Sequence, residues 1–143
     1  MKIATLLSGM TIASSLTLSL PAFADGDGRV IPFQAVLHGA RGDELREPAP
    51  IDPTTNKPIP GVEGKLITLG DVAINALLIA TRGDETLAGT EKVRRGELAR
   101  NIFAHPEEPL KIDEIKLIKD RIGVVYTVDV VTPAWHILEG DKP

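Results

Sequence analysis

The stretch IDEIKLIKDRIGVV, residues 112–125, decides the fold class that this sequence predicts. Its apolar residues recur every three to four positions, which places them on one face of a helix. They are Ile115, Ile118, Ile122 and Val125. The charged residues Lys116, Lys119, Asp120 and Arg121 fall between them, and we expect these to be solvated. We therefore predict an amphipathic helix over residues 113–125 that packs on other elements.

Two more helices are predicted on the N-terminal side of this stretch. Thr68 and Asp71 have the spacing of a capping box, and the residues that follow them are apolar almost all round. This pattern is typical of a buried helix. After a loop over residues 81–89, Thr90 is a candidate cap for a second helix over residues 91–104.

The C-terminal side carries one ambiguous segment and one further helix. Residues 124–131 are rich in β-branched side chains, which favours a strand, although their position between helices allows either structure. Thr132 as N-cap, Pro133 in the first turn and Gly140 just past the end predict the last helix.

Strand signals are confined to the first half of the chain. Apolar and polar residues alternate over residues 30–37, and residues 65–68 form a second short candidate. We expect these two segments to pair in antiparallel fashion, joined by a proline-rich loop at residues 41–64. The predicted fold class is therefore α+β: a short antiparallel strand pair followed by a three- to four-helix cluster. The predicted buried positions are Leu69, Val72, Ala76, Leu77, Leu98, Ile102, Phe103, Ile115, Ile118, Ile122 and Trp135.

The first 24 residues have the pattern of a secretory signal peptide. Lys2 precedes an uncharged stretch over residues 3–20, Pro21 follows it, and the small residues at 22 and 24 form an A-x-A cleavage site. We expect cleavage after Ala24, export to the periplasm or the medium, and a single domain over residues 25–143 with no stable membrane insertion. An uncleaved anchor is the alternative, since residues 3–20 are close to the minimum length for a membrane span.

Composition excludes several function classes. The chain has no cysteine, and all its serines lie in the signal segment, so residues 25–143 cannot use a serine or cysteine nucleophile. The formal net charge of −4 argues against nucleic acid or an anionic membrane as the main partner.

Candidate metal ligands are few and poorly spaced. Asp25 and Asp27 fit the first and third positions of a calcium loop of the EF-hand type. The residues at its fifth, sixth and twelfth positions do not fit. His38, His105 and His136 stand too far apart in sequence to form a helical zinc pair, although His105 lies next to acidic residues. We predict no metal, no cofactor and no catalytic residue. An enzyme or metal protein that uses these histidines with nearby acids remains an alternative.

One cationic run stands out as a contact surface. Within EKVRRGELAR, residues 91–100, the basic residues are Lys92, Arg94, Arg95 and Arg100. We predict that they contact a protein partner, together with the proline-rich loop. A DNA-binding helix-turn-helix is disfavoured because the connecting loop is long and the chain is acidic.

Four segments occur in an order that resembles small, uncharacterised proteins of tailed phages and prophages. They are ITLGDVAINALL, GTEKVRRGELARNI, IDEIKLIKDRIGVVY and AWHILEG. The resemblance covers residues 33–140 and implies a short strand or hairpin followed by three or four helices. It implies no activity, cofactor or catalytic residue, and the signal peptide departs from the pattern.

The sequence thus favours a non-catalytic, exported binding or interaction module whose protein partner is unknown. The main alternative is a phage-derived assembly or structural protein that forms a homo-oligomer.

Overall fold

A computed structural model describes residues 28–141, in which two short strands precede four α-helices. The strands are β1 (Ile51–Asp52) and β2 (Lys57–Pro58). The helices are α1 (Leu69–Leu78), α2 (Gly89–Ala104), α3 (Ile112–Val125) and α4 (Val128–Glu139), with one 3-10 turn at Arg82–Asp84. The α+β class with a helical cluster is confirmed.

The strand pair lies inside the proline-rich loop, where the sequence predicted no element. β1 and β2 pair in antiparallel register, with Ile51 opposite Pro58. Asp52 organises the turn between them, because its carboxylate accepts hydrogen bonds from the Thr54 amide at 2.8 Å and the Thr55 hydroxyl at 3.1 Å. A local turn of this kind can form a hairpin without a large buried face.

The two predicted strands, residues 30–37 and 65–68, meet as expected but are not continuous strands. Val36 and Thr68 form an antiparallel bridge, and the Leu37 amide donates to the Ile67 carbonyl at 2.9 Å. The first segment is interrupted because Pro32 has no amide hydrogen and its carbonyl accepts the Ala35 amide in a turn.

Helix termini agree with the sequence where a side chain caps the helix. Thr68 and Asp71 form the predicted capping box of α1, and Gly140 ends α4 with φ +93°. Two predictions are wrong. α2 begins at Gly89, so Thr90 lies inside its first turn, and α4 begins at Val128, so Thr132 is not its N-cap. The ambiguous segment 124–131 thus consists of the end of α3, a short break and the start of α4.

The core lies where α1 packs on α2 and α3, and α3 packs on α4. Nine of the predicted buried positions are buried, and Trp135 is partly buried. Phe103 is 80% exposed, which corrects the prediction. Ile102, in the same last turn of α2, is 2% exposed, so this turn packs on the core through Ile102 while Phe103 faces solvent.

The signal segment and the Asp25–Asp27 pair lie outside the described residues. Among the residues that are described, none of the helices combines the length and apolar character that a membrane span needs.

Candidate functional site

A cavity of about 350 Å³ lies between residues 36–40 and one face of α4. We call it the α4 cavity. Most of its lining is apolar, from Val36, Ala40, Val128, Pro133 and Ile137. Its polar side chains are His38, Asp129, Thr132 and His136. A concave, largely apolar site with a few convergent polar groups is typical of ligand-binding pockets.

The segment 36–40 is held in place by its backbone. Leu37 is fully buried and is fixed on both sides, since its amide donates to Ile67 and its carbonyl accepts the Leu45 amide at 2.8 Å. Because neighbouring side chains of an extended segment point to opposite sides, the burial of Leu37 turns Val36 and His38 away from the core. They form one wall of the α4 cavity.

The opposite wall is a single face of α4. Val128, Thr132 and His136 are four residues apart, so they lie one above the other along the helix. The adjacent face carries Ala134 and Leu138, both fully buried in the core. The core contacts of α4 therefore orient the cavity-facing residues, and the wall is rigid helix rather than loop.

The structure brings two of the three histidines to one site. His38 and His136 both line the α4 cavity, whereas His105 lies after α2 in a shallow pocket with Glu107 and Glu108. Imidazole, carboxylate and hydroxyl groups at this cavity can donate and accept hydrogen bonds to a ligand. Within residues 28–141, no group of three or more histidine, aspartate or glutamate side chains is placed to hold a metal ion.

The predicted basic contact surface is not one continuous surface. Arg95 is only 6% exposed and forms an ion pair with Asp84 at 3.1 Å, so it is a buried residue and not a solvated one. Arg94 is exposed but pairs with Glu91 and Asp113. Lys92 and Arg100 remain exposed, as predicted.

A buried charged cluster forms where α1, α2 and α3 meet. Asp84 pairs with Arg95 and also with Arg121, whose Nη1 and Nη2 each lie 3.3 Å from its carboxylate oxygens. Arg121 was predicted to be solvated, yet it is only 8% exposed. It also donates to the Thr81 hydroxyl at 3.3 Å and to the carbonyls of Ala76 and Ile79, and these two carbonyl bonds cap the C-terminus of α1.

The environment of Asp84 strongly favours its charged form. The Thr81 amide donates to the carboxylate at 2.7 Å, and this bond, together with Arg95 and Arg121, lowers the pKa of Asp84 from 3.8 to about 2. Burial acts in the opposite direction but is outweighed.

The sequence carries two signals for this cluster. Thr81 and Asp84 repeat the threonine-to-aspartate spacing of Thr68 and Asp71, which is a capping signal. Arg121 lies three residues after Ile118 and four before Val125, so it shares the buried stripe of α3.

Comparison with models of known protein families, with curated proteins and with solved structures finds no match to this chain. The resemblance to phage and prophage proteins therefore stays a prediction from the sequence.

Proposed function

We propose that this protein is a non-catalytic binding module that takes an apolar side chain of a protein partner into the α4 cavity. The observation that carries the proposal is the α4 cavity itself, in which a mostly apolar lining meets four polar side chains. Burying apolar surface drives such binding, and the polar groups set orientation.

The volume of the α4 cavity limits its ligand. At about 350 Å³ it lies near the lower end of the range for small-molecule sites, so it suits one aromatic or aliphatic side chain better than a large cofactor. A single buried aromatic anchor is a common source of binding energy at protein interfaces.

The non-catalytic part of the proposal rests on composition. Residues 25–143 contain no serine or cysteine, so the two commonest nucleophiles are not available beside His38 and His136. The exported location rests on the signal pattern of residues 1–24 alone.

The α4 cavity can be tested with indole, which has the chemistry of a tryptophan side chain. We expect titration of the ¹⁵N-labelled domain to shift the amide resonances of residues 36–40 and of the cavity face of α4. If saturating indole shifts no resonance in these two segments, the proposal is wrong. Glycerol serves as the control, since it is small and polar and should shift neither segment.

The assembly alternative has one observation in its favour. Phe103 is 80% exposed on α2, and Val93 on the same helix is 59% exposed. Contiguous exposed apolar patches mark contact sites, so this alternative requires that Phe103 and Val93 contribute to one patch. If the native domain sediments as an oligomer over a wide concentration range and Phe103→Ser sediments as a monomer, this alternative is favoured over a monomeric binding module.

A further inference from the structure

A second cavity, of about 590 Å³, lies at the connection between α1 and α2. We call it the connection cavity. The end of α1 contributes Leu77 and Leu78, the connecting segment contributes Arg82, and α2 contributes Lys92, Arg95 and Gly96. The cavity therefore combines an aliphatic wall with three cationic side chains.

Positive charge exceeds negative charge in and behind the connection cavity. Asp84 is the single carboxylate of the buried cluster, yet two guanidinium groups, Arg95 and Arg121, share it. A buried charge without a counter-charge is costly. A bound anion would supply the negative charge that this cluster lacks.

One hydrogen-bond donor of the cluster has no acceptor. The Nε of Arg95 is buried and makes no hydrogen bond to any residue in 28–141, whereas the Nε of Arg121 donates to Ala76 at 3.1 Å. Arg95 lines the cavity and its side chain is 7% exposed. Buried donors are nearly always paired, so this unpaired donor marks the Arg95 guanidinium, beside the cavity, as short of an acceptor.

Two further cations stand at the exposed rim. Arg82 and Lys92 form no ion pair within the described part of the chain. Asp84 and Glu85 also line the cavity, and their carboxylates oppose the positive charge in part. Leu78, which is 59% exposed, offers apolar surface next to these charges.

We propose that the connection cavity binds a carboxylate that carries an aliphatic group. Arg95 and Lys92 attract and bind the carboxylate, and Leu77 and Leu78 contact the aliphatic part. The C-terminus of a peptide and a free aliphatic acid share this chemistry. This inference does not depend on the α4 cavity or its ligand.

The probe for this site is N-acetyl-L-leucine, and the matched control is its neutral amide, N-acetyl-L-leucinamide. Isothermal titration or NMR should show saturable binding of the acid, with the amide at least tenfold weaker because charge-assisted hydrogen bonds are lost. Equal binding of acid and amide, or no binding of the acid, would overturn the proposal.

Substitutions at Gly96 locate the site without removing a charge. A Cβ at Gly96 meets no atom within 4 Å, and both alanine and phenylalanine are better helix formers than glycine. We expect Gly96→Ala to bind the acid as the native domain does, and Gly96→Phe to lose at least tenfold in affinity by filling the cavity. Similar affinities of the two variants would refute this location.

Charge is tested separately at the rim. Lys92→Gln should weaken binding of N-acetyl-L-leucine several-fold, whereas Lys57→Gln, an exposed lysine on β2 outside the cavity, should not change it. If both variants bind equally well, Lys92 has no part in the site and the charge argument fails.

Comparison of N-acetyl-Ala-Ala-Leu with 4-methylpentanoate distinguishes the two sources of the carboxylate. Tighter binding of the peptide assigns the site to a peptide C-terminus, and equal or weaker binding of the peptide assigns it to a free aliphatic acid.

Discussion

Replacing Arg121 by methionine should destabilise the fold more than any other single substitution of a charged residue on α3. Methionine keeps the unbranched length of the side chain but removes every donor. Arg121 donates to the Ala76 carbonyl at 3.1 Å and the Ile79 carbonyl at 2.6 Å, and it pairs with Asp84. The substitution thus leaves two carbonyls at the end of α1 and part of a buried carboxylate unpaired.

The expected loss follows from these contacts. Breaking a buried ion pair by removing one partner costs about 3–5 kcal/mol. Asp84 retains Arg95 at 3.1 Å and the Thr81 amide, so the lower part of this range applies to Arg121→Met. For a domain of this size, about 3 kcal/mol lowers the melting temperature by roughly 12 °C.

The assay is urea and thermal unfolding of the native domain, Arg121→Met and Lys116→Met. Lys116 lies on the same helix but is exposed, and among residues 28–141 its one ion pair is with Asp120, so its replacement should cost less than about 0.5 kcal/mol. Arg121→Lys keeps the charge but not the forked geometry and should fall between them. If Arg121→Met loses less than about 1 kcal/mol, the cluster does not hold α1, α2 and α3 together as described.

Three further predictions concern stability. The folded-state pKa of Asp84 is about 2, below its ordinary 3.8, so its carboxylate stabilises the fold above about pH 4 and this contribution is lost as the pH falls towards 2. The urea midpoint of Asp84→Asn should therefore depend less on pH than that of the native domain. An unchanged dependence would contradict the assignment. Gly140→Ala should cost about 1 kcal/mol in urea unfolding, since φ is +93° there, and native stability would show that the C-cap tolerates a side chain. Ile118→Ala should cost about 2–5 kcal/mol, whereas Phe103→Ser should change stability by less than about 0.5 kcal/mol; a large loss at Phe103 would mean that it is buried in solution.

Features decided by neighbours in sequence were predictable. The capping box of α1, the extent of α3 and the end of α4 depend on residues a few positions apart, and the structure confirms all three. The β1–β2 hairpin was not predicted, because the proline-rich composition of residues 41–64 indicates a loop. The hairpin depends instead on a local turn around the carboxylate of Asp52.

Features decided by contacts between distant segments were not predictable. Arginine is usually exposed to solvent, so the sequence predicts that Arg95 and Arg121 are solvated. Their burial is explained by Asp84, which a 3-10 turn places beside both guanidinium groups. Likewise, His38 and His136 share the α4 cavity because α4 packs against an early segment of the chain, which no spacing in the sequence records.

The central claim, that the α4 cavity binds an apolar group, is tested most directly by the dissociation constant of indole for two matched variants. Thr132→Phe places a ring in the cavity, and Thr90→Phe places the same ring on an exposed position of α2 outside it. We predict that Thr132→Phe weakens indole binding at least tenfold relative to the native domain and that Thr90→Phe leaves it unchanged. Equal dissociation constants for the two variants would contradict the claim.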